Sequence, residues 1–259
     1  MASRALAVVI GFQIYQITHS ALSLGWLGLI EAVPAISLVL FGGYVADHFN
    51  RRKILLITRA ASAVCGLTLA ALSFFGHSST LLGLYAVIFL AGIARGFADP
   101  ANSAFEAQVV PQNLTVNASS WIGSTMIACC IIGPAIIGFV FDAYGAVGSY
   151  ILITALFILS WIFTACMAPR PLAVPQKEPL LKSISMGWRF VFGNQPLLGA
   201  LTLDLFAVFF GGMMALLPIY AQDILHVGAK GLGFLNAAPA AGALIMMLFA
   251  TRHAPIRNA

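Results

Sequence analysis

The sequence predicts an all-α membrane protein built as a helical bundle. Of its 259 residues, 61% are hydrophobic and only 8% are charged, whereas about a quarter of the residues in a soluble domain are charged. The apolar residues form long runs, and most charged residues fall between these runs. Transmembrane helices fit this pattern, because each satisfies its own backbone hydrogen bonds where no water is available.

Eight apolar runs, bounded by charged or turn residues, predict eight membrane spans. They begin near residues 2, 22, 54, 81, 119, 149, 196 and 231. The first run, residues 5–17, is only 13 residues long, whereas a spanning helix needs about 17 to 25 residues. Because further spans follow it, we interpret this run as a shortened first helix that lacks its cytoplasmic half, and not as a secretory signal.

Basic residues set the expected orientation of these spans. If every run crosses once and the basic turn at residues 51–53 is cytoplasmic, nine Lys and Arg residues lie on that side and Lys230 alone lies on the other. This asymmetry follows the positive-inside rule. The net charge of +5 therefore reports topology and not nucleic-acid binding. We expect a multi-pass protein of the cytoplasmic (inner) membrane with both termini in the cytoplasm.

The longest polar interval, residues 169–195, predicts a cytoplasmic linker. It contains four prolines followed by an amphipathic stretch, which is typical of a helix lying on a membrane surface. The predicted domains are a six-helix bundle over residues 1–168 and the start of a second bundle, with two helices, over residues 196–259.

Nothing in the sequence indicates catalysis or a cofactor. The four cysteines lie inside apolar runs without the spacing of a metal site, and no Walker loop, redox motif or catalytic nucleophile is present. Cysteines in such positions pack mostly as small hydrophobic side chains. We expect no enzyme activity, no metal and no cofactor.

The turn between the second and third spans resembles a motif of the major facilitator superfamily, Gly-x-x-x-Asp-Arg-x-Gly-Arg-Arg. Four positions match it: Gly43, Asp47, Arg51 and Arg52. His48 replaces an Arg of the motif, and Asn50 replaces its second Gly. The resemblance implies a gating role for the matching residues, with Asp47 bracing a helix start in the second half of the transporter. The alternative is that the basic residues only hold the turn in the cytoplasm.

Three further segments resemble the drug and siderophore exporters of this superfamily. Residues 94–101 are similar to the end of their fourth helix, where an Arg points into the bundle. Residues 133–138 are similar to the antiporter motif Gly-Pro-x-x-Gly-Gly in the fifth helix, and the matching positions are Gly133, Pro134 and Gly138. Residues 204–221 are similar to the seventh helix. Small residues and a bend permit close helix packing, which explains the second match whatever is transported.

Charged residues inside spans are candidates for coupling or for the substrate cavity, since intramembrane charge is costly and tends to be functional. Arg95 and Asp99 lie four residues apart on one helix, near enough to pair, close to Pro100, which tends to end or kink a helix. The resemblance of this segment to the exporters implies that Arg95 takes part in coupling or gating or binds an anionic substrate. The alternative is an ion pair whose only role is structural.

Glu31 lies about ten residues into the second span, where lipid disfavours its charged form, so it is a candidate for proton loading and release. The alternatives are a protonated Glu bonded to a neighbouring helix, or a Glu facing a watery vestibule. Asp204 in the seventh span follows the same reasoning, and the two carboxylates would face a shared cavity. For Arg59 we favour snorkelling to the cytoplasmic interface over a substrate role.

The resemblance implies a secondary active transporter, an antiporter that exports a small amphipathic compound or siderophore by alternating access. Its partners would be protons, the small-molecule substrate and the lipid bilayer, with no nucleic acid, and it would be a monomer at full length. Superfamily members have twelve helices in two halves around a central site, so this chain would be a truncated member with about eight. The alternatives are a non-transporting membrane fragment and a membrane scaffold.

Overall fold

The predicted all-α fold is confirmed. The computed structural model describes residues 1–76, 80–110, 114–167 and 189–252, and within these ranges it contains helices and no strand. The helices are α1 (Ala2–Thr18), α2 (Ala21–His48), α3 (Arg51–Phe75), α4 (Thr80–Val109), α5 (Thr115–Cys166), α6 (Gln195–Phe210) and α7 (Gly228–Arg252). Between α6 and α7 the chain forms a 3-10 helix (Gly211–Leu216), one α-helical turn (Leu217–Ile219) and a π-helical turn (Tyr220–Ile224).

The long helix α5 contains two of the predicted spans. Its 52 residues are interrupted at Gly145, where φ is 66° and ψ is −164°. Glycine adopts positive φ without the steric cost of a Cβ. A straight helix of this length would extend about 78 Å, more than twice the roughly 30 Å of a bilayer's hydrocarbon core. Segments 115–144 and 146–166 therefore correspond to the fifth and sixth spans, and each of the eight predicted spans matches a helical segment.

Four helical stretches of the described residues are long and apolar enough to cross a membrane: Ala21–His48, Arg51–Phe75, Leu81–Val109 and Asn117–Cys166. The first helix has 17 residues, in keeping with the short first run. Residues 168–188, which include most of the predicted amphipathic linker, lie outside the described residues.

Glycines set the close packing of α2 on α4. A Cβ on Gly42 would overlap the carbonyl oxygen of Gly96, and a Cβ on Gly92 would lie 2.6 Å from the carbonyl oxygen of Glu31. Small residues at such positions allow two membrane helices to approach closely. This contact brings the middle of α2, with Glu31, level with the part of α4 that carries Arg95.

Helix α1 lies at the centre of the bundle, with nine of its residues buried. It packs against α5 and α2 and contacts the segment that follows α6. A buried polar network ties it to two other helices. The amide oxygen of Gln13 accepts a hydrogen bond from the Tyr150 hydroxyl at 2.6 Å, and its amide nitrogen donates to Ser73 Oγ at 2.8 Å. No local sequence pattern indicates this network, because its members lie 60 and 137 positions apart.

Helix α7 packs against the first segment of α5. A Cβ on Gly138 would lie 2.7 Å from the carbonyl oxygen of Ala229, and a Cβ on Gly233 would lie 2.5 Å from that of Pro134. Pro134 and Gly138 of the Gly-Pro-x-x-x-Gly segment of α5 therefore lie in the seam with α7. By contrast, most of α6 is exposed, and its main contact among the described elements is with the 3-10 helix that follows it.

Candidate functional site

A cluster of three charged side chains lies where α2 faces α4. Arg95 Nη1 is 2.8 Å from Glu31 Oε1, and Arg95 Nε is 3.4 Å from Asp99 Oδ2. The pair expected within α4 is therefore formed, and Glu31 joins it from α2. Helix α4 continues past Pro100 to its end at Val109. With two carboxylates and one guanidinium, the ionised cluster has one negative charge in excess.

Three cavities meet at this cluster. The first, about 310 Å³, lies among α1, α3, α4 and α5 and is lined by Glu31, Arg95, Asp99 and Arg59. The second, about 380 Å³, lies along α2 and α4 and is lined by the same cluster. The third, about 430 Å³, lies between α1, α2 and α5 on one side and residues 214–240 on the other. Glu31 lines all three cavities, whereas Arg95 and Asp99 line the first two.

Asp204 lies elsewhere. It is an exposed residue of α6 and lines none of these three cavities. Asp204 and Glu31 therefore share none of these three cavities.

Arg59 is turned into the bundle, against the expectation that it snorkels to the interface. Its Nη1 donates to the carbonyl oxygen of Ser160 at 3.0 Å and to the Thr164 hydroxyl, and its Nη2 donates to Asn102 Oδ1 at 3.2 Å. These partners are 43 to 105 positions away in sequence. No local spacing indicates such contacts, which is why the sequence analysis missed them.

The turn between α2 and α3 is held by a helix cap. Asn50 Oδ1 accepts hydrogen bonds from the main-chain N–H groups of Arg52 at 3.1 Å and Lys53 at 3.4 Å. Asn is among the preferred N-cap residues, so its replacement of the motif's second Gly provides a cap for α3. Gly43 has open space around it, and the closely packed glycine is its neighbour Gly42.

The two arginines of this turn bind main-chain oxygens of neighbouring helices. Arg51 donates to a carbonyl of α4 at 3.0 Å and lies 3.6 Å from the carboxylate of Asp47. Arg52 donates to the carbonyl oxygens of Thr164 and Ala165 at 3.1 and 2.6 Å, at the end of α5. These bonds join the turn to α4 and α5. The side chain of Asp47 is 68% exposed, and Arg51 is its one ion-pair partner within the described part of the chain.

The chain matches the Major Facilitator Superfamily over residues 1–257. It belongs to this superfamily.

Curated relatives include the enterobactin exporter EntS of Shigella flexneri, which is 28% identical over 245 residues, and that of Escherichia coli O1:K1, which is 28% identical over 252 residues. Each match covers 93% of this chain and 57% of the relative. The chain thus spans little more than half the length of these relatives. It is a multi-pass protein of the inner membrane from a superfamily of transporters, and not an enzyme.

Superfamily proteins have two helical halves, and here polar contacts connect residues before and after α6. Lys230 Nζ is 2.8 Å from Asp142 Oδ2, and the Tyr15 hydroxyl donates to Asp223 Oδ2. Tyr15 lies near the end of α1 that leads into the start of α2, whereas the basic turn follows the other end of α2. These contacts, with the α5–α7 glycine seam, therefore close the end of the bundle opposite the basic turn.

Proposed function

We propose that this chain forms part of a proton-coupled secondary transporter that exports a small amphipathic compound or siderophore across the cytoplasmic membrane by alternating access. The cluster of Glu31, Arg95 and Asp99 carries this proposal, because it lies where three cavities meet. One of those cavities lies between segments before and after α6. The enterobactin exporters among the relatives support export as the direction. In this proposal both termini are cytoplasmic and the full-length transporter is a monomer.

Glu31 is the proposed proton carrier. In its ionised form it accepts a hydrogen bond from Arg95 at 2.8 Å. A proton on Glu31 removes the Coulomb attraction across this contact and leaves Arg95 with Asp99 as its ionised neighbour. Glu31 lines all three cavities, so a hydrogen-bond donor of the substrate can bind the same ionised carboxylate. Proton and substrate then compete for Glu31, and this mutual exclusion provides the differential interaction that proton-driven export requires.

We assign the basic turn and the opposite seam to the two gates. Gly43, Asp47, Arg51 and Arg52 belong to the cytoplasmic gate, where the exposed Asp47 is free to engage a helix start when this end closes. At the opposite end, the ion pair of Lys230 with Asp142 must separate for the cavity to open outward. Pro134 and Gly138 shape the α5 surface of that seam, whereas Gly133 faces Met1 at the start of α1.

The proton-carrier role is tested in proteoliposomes with a pyranine-monitored pH gradient and a panel of siderophores and lipophilic cations. Glu31→Gln removes the titratable group and keeps a hydrogen-bond acceptor, so we expect it to abolish substrate-driven proton movement. Asp204→Asn is the matched control, an exposed carboxylate outside the cavities, and we expect it to retain coupling. Uncoupler-sensitive transport by the Glu31→Gln variant would contradict the assignment.

A second proposal is that these 259 residues do not transport alone and act only in association with another chain. The coverage of 57% of the relatives' length favours it. Proteoliposomes that contain only these residues distinguish the two proposals. Substrate-driven proton movement in them would refute the second proposal, and its absence, together with activity in a version extended to the length of the relatives, would support it.

A further inference from the structure

Within the described ranges, Arg59 is an intramembrane cation without a carboxylate partner. Seven of the chain's Asp and Glu residues lie in the described ranges, and none of them lies within 4.0 Å of the Arg59 guanidinium. Its hydrogen-bond acceptors are a carbonyl, a hydroxyl and an amide oxygen, all of them neutral. Arg59 is partly buried, and partial loss of water without an anionic partner leaves a positive charge that favours a further interaction.

The end of α5 offsets only part of this charge. The carbonyls of the last helical turn carry a partial charge of about −0.5 in total. Arg59 reaches Ser160 and Thr164 near this end, but Arg52 donates to the two carbonyls that follow. The positive charges of Arg52 and Arg59 therefore face a partial negative charge of only about 0.5 at the end of α5. Arg52 lies at the exposed turn, whereas Arg59 lines the first cavity.

Arg59 and Asn102 retain hydrogen-bond donors for a ligand. A guanidinium has five N–H donors, and within the described residues three of these have acceptors. Asn102 Oδ1 accepts a hydrogen bond from Arg59. If the side-chain amide of Asn102 were turned over, its NH₂ group would face the guanidinium of Arg59. The Asn102 NH₂ group is therefore the end of the amide directed away from the guanidinium. Both residues line the first cavity, so the spare donors are next to the space a ligand would occupy.

Arg95, the other arginine of this cavity, is already neutralised. Its guanidinium lies within ion-pair distance of both Glu31 and Asp99. The cavity thus has a positive group at Arg59 and an excess negative charge at the cluster. Its remaining wall is largely apolar and includes Leu69, Ile88, Leu156 and Phe157. This arrangement favours a molecule with an apolar body and one anionic group.

We infer that Arg59 and Asn102 form an anion-binding subsite for a carboxylate or phenolate group of the transported molecule. The inference rests on the proposed function, since it assumes that the first cavity is part of the substrate route. It narrows the substrate class from amphipathic compounds in general to organic anions.

The test is equilibrium binding to the full chain in lipid nanodiscs with three probes of similar size: 1-naphthoate, 1-naphthalenemethanol and 1-naphthylmethylamine. A charge-assisted hydrogen bond is stronger than a neutral one by enough to change affinity about tenfold. We expect naphthoate to bind at least about tenfold tighter than the alcohol, and the amine to bind no better than the alcohol. Arg59→Gln should remove this preference, and Arg59→Lys should retain part of it.

Two further variants separate binding from folding. Arg189→Gln removes an exposed arginine that does not line the cavity, so the preference for naphthoate should persist. Asn102→Asp places a carboxylate against Arg59, which fills the subsite without removing the cation, so the preference should be lost in a folded protein. Equal binding of the three probes to the unaltered chain, or an unchanged preference in Asn102→Asp, would overturn the inference.

This inference and the proposed function fail separately. If substrate-driven proton movement depends on Glu31 but naphthoate has no advantage, the subsite is refuted and transport stands. If naphthoate binds through Arg59 but no proton movement occurs in any version of the protein, the subsite stands and proton coupling is refuted.

Discussion

The seam between α5 and α7 depends on the absence of a side chain at Gly138, and the variant Gly138→Ala tests this dependence. The new Cβ would lie 2.7 Å from the carbonyl oxygen of Ala229. The facing glycine is equally constrained, because a Cβ on Gly233 would lie 2.5 Å from a carbonyl of α5. Both neighbours are backbone atoms of a helix, which cannot rotate away as the end of a flexible side chain can.

The expected loss of stability follows from how far α5 and α7 must move apart to admit the new Cβ. Ordinary van der Waals contact begins near 3.4 Å, so α5 and α7 must separate locally by about 0.7 Å at Gly138. Overpacking of this kind costs typically about 1–3 kcal/mol. Replacing Gly by Ala within a helix stabilises that helix by up to about 1 kcal/mol. We therefore expect the free energy of unfolding to fall by about 1–2 kcal/mol.

The control is Gly123→Ala on the same helix, where a Cβ meets nothing within 4 Å. This variant has the same gain in helix propensity without the collision, so it should be neutral or slightly stabilising. Both are measured by detergent-induced unfolding in mixed micelles, followed by tryptophan fluorescence. If Gly138→Ala is as stable as Gly123→Ala, the helices are not in the close contact described here and the reasoning fails.

Three other changes have defined outcomes. In the variant Lys230→Asp, Cys130, which lines the third cavity, should become more accessible to a water-soluble maleimide. Adding Asp142→Lys restores opposite charges and should reverse this increase. Because both side chains of this ion pair are about half exposed, the pair should contribute less than about 1 kcal/mol to keeping the seam closed. Equal labelling of all variants would contradict this role of the pair. Tyr150→Phe leaves a buried amide oxygen without its donor and should lower unfolding free energy by about 1–3 kcal/mol; an unchanged midpoint would refute the network. Asn50→Ala should lower it by about 1 kcal/mol and Asn50→Gly by only a few tenths; equal losses would argue against the cap.

The number of helices was predictable because hydropathy and length determine it. Each span must cover the same apolar thickness, so its ends are visible as charged or turn residues. The division of α5 at Gly145 was predictable for the same reason, since no span is as long as 52 residues. The pair of Arg95 with Asp99 was also predictable, because residues four apart on a helix are neighbours.

The contacts between helices were not predictable in the same way. Helices surrounded by lipid are apolar on every side, so their sequence does not show which face meets which neighbour. Glu31 and Arg95 are 64 positions apart, and the sequence alone gave Glu31 no basic partner. From the sequence, Arg59 is only a residue near the start of a helix. The positions of α4 and α5 in the fold show that its side chain binds both of these helices. The exposed position of Asp204 depends on α6, whose place beside the bundle no motif indicates.

The chemistry of the contacts distinguishes a rigid part of the bundle from the seam expected to move. The three arginines at positions 51, 52 and 59 bind carbonyl, hydroxyl and amide oxygens of α4 and α5. These acceptors are neutral, so the bonds between the helices do not depend on the protonation of a carboxylate. The seam to α7 instead has a half-exposed ion pair, which contributes about 0–1 kcal/mol, close glycine contacts, and the edge-to-face ring pair of Phe139 and Phe234 at 5.6 Å. Under the proposed function this seam opens during transport, and Glu31, which lines the adjoining cavity, biases the opening by gaining or losing a proton.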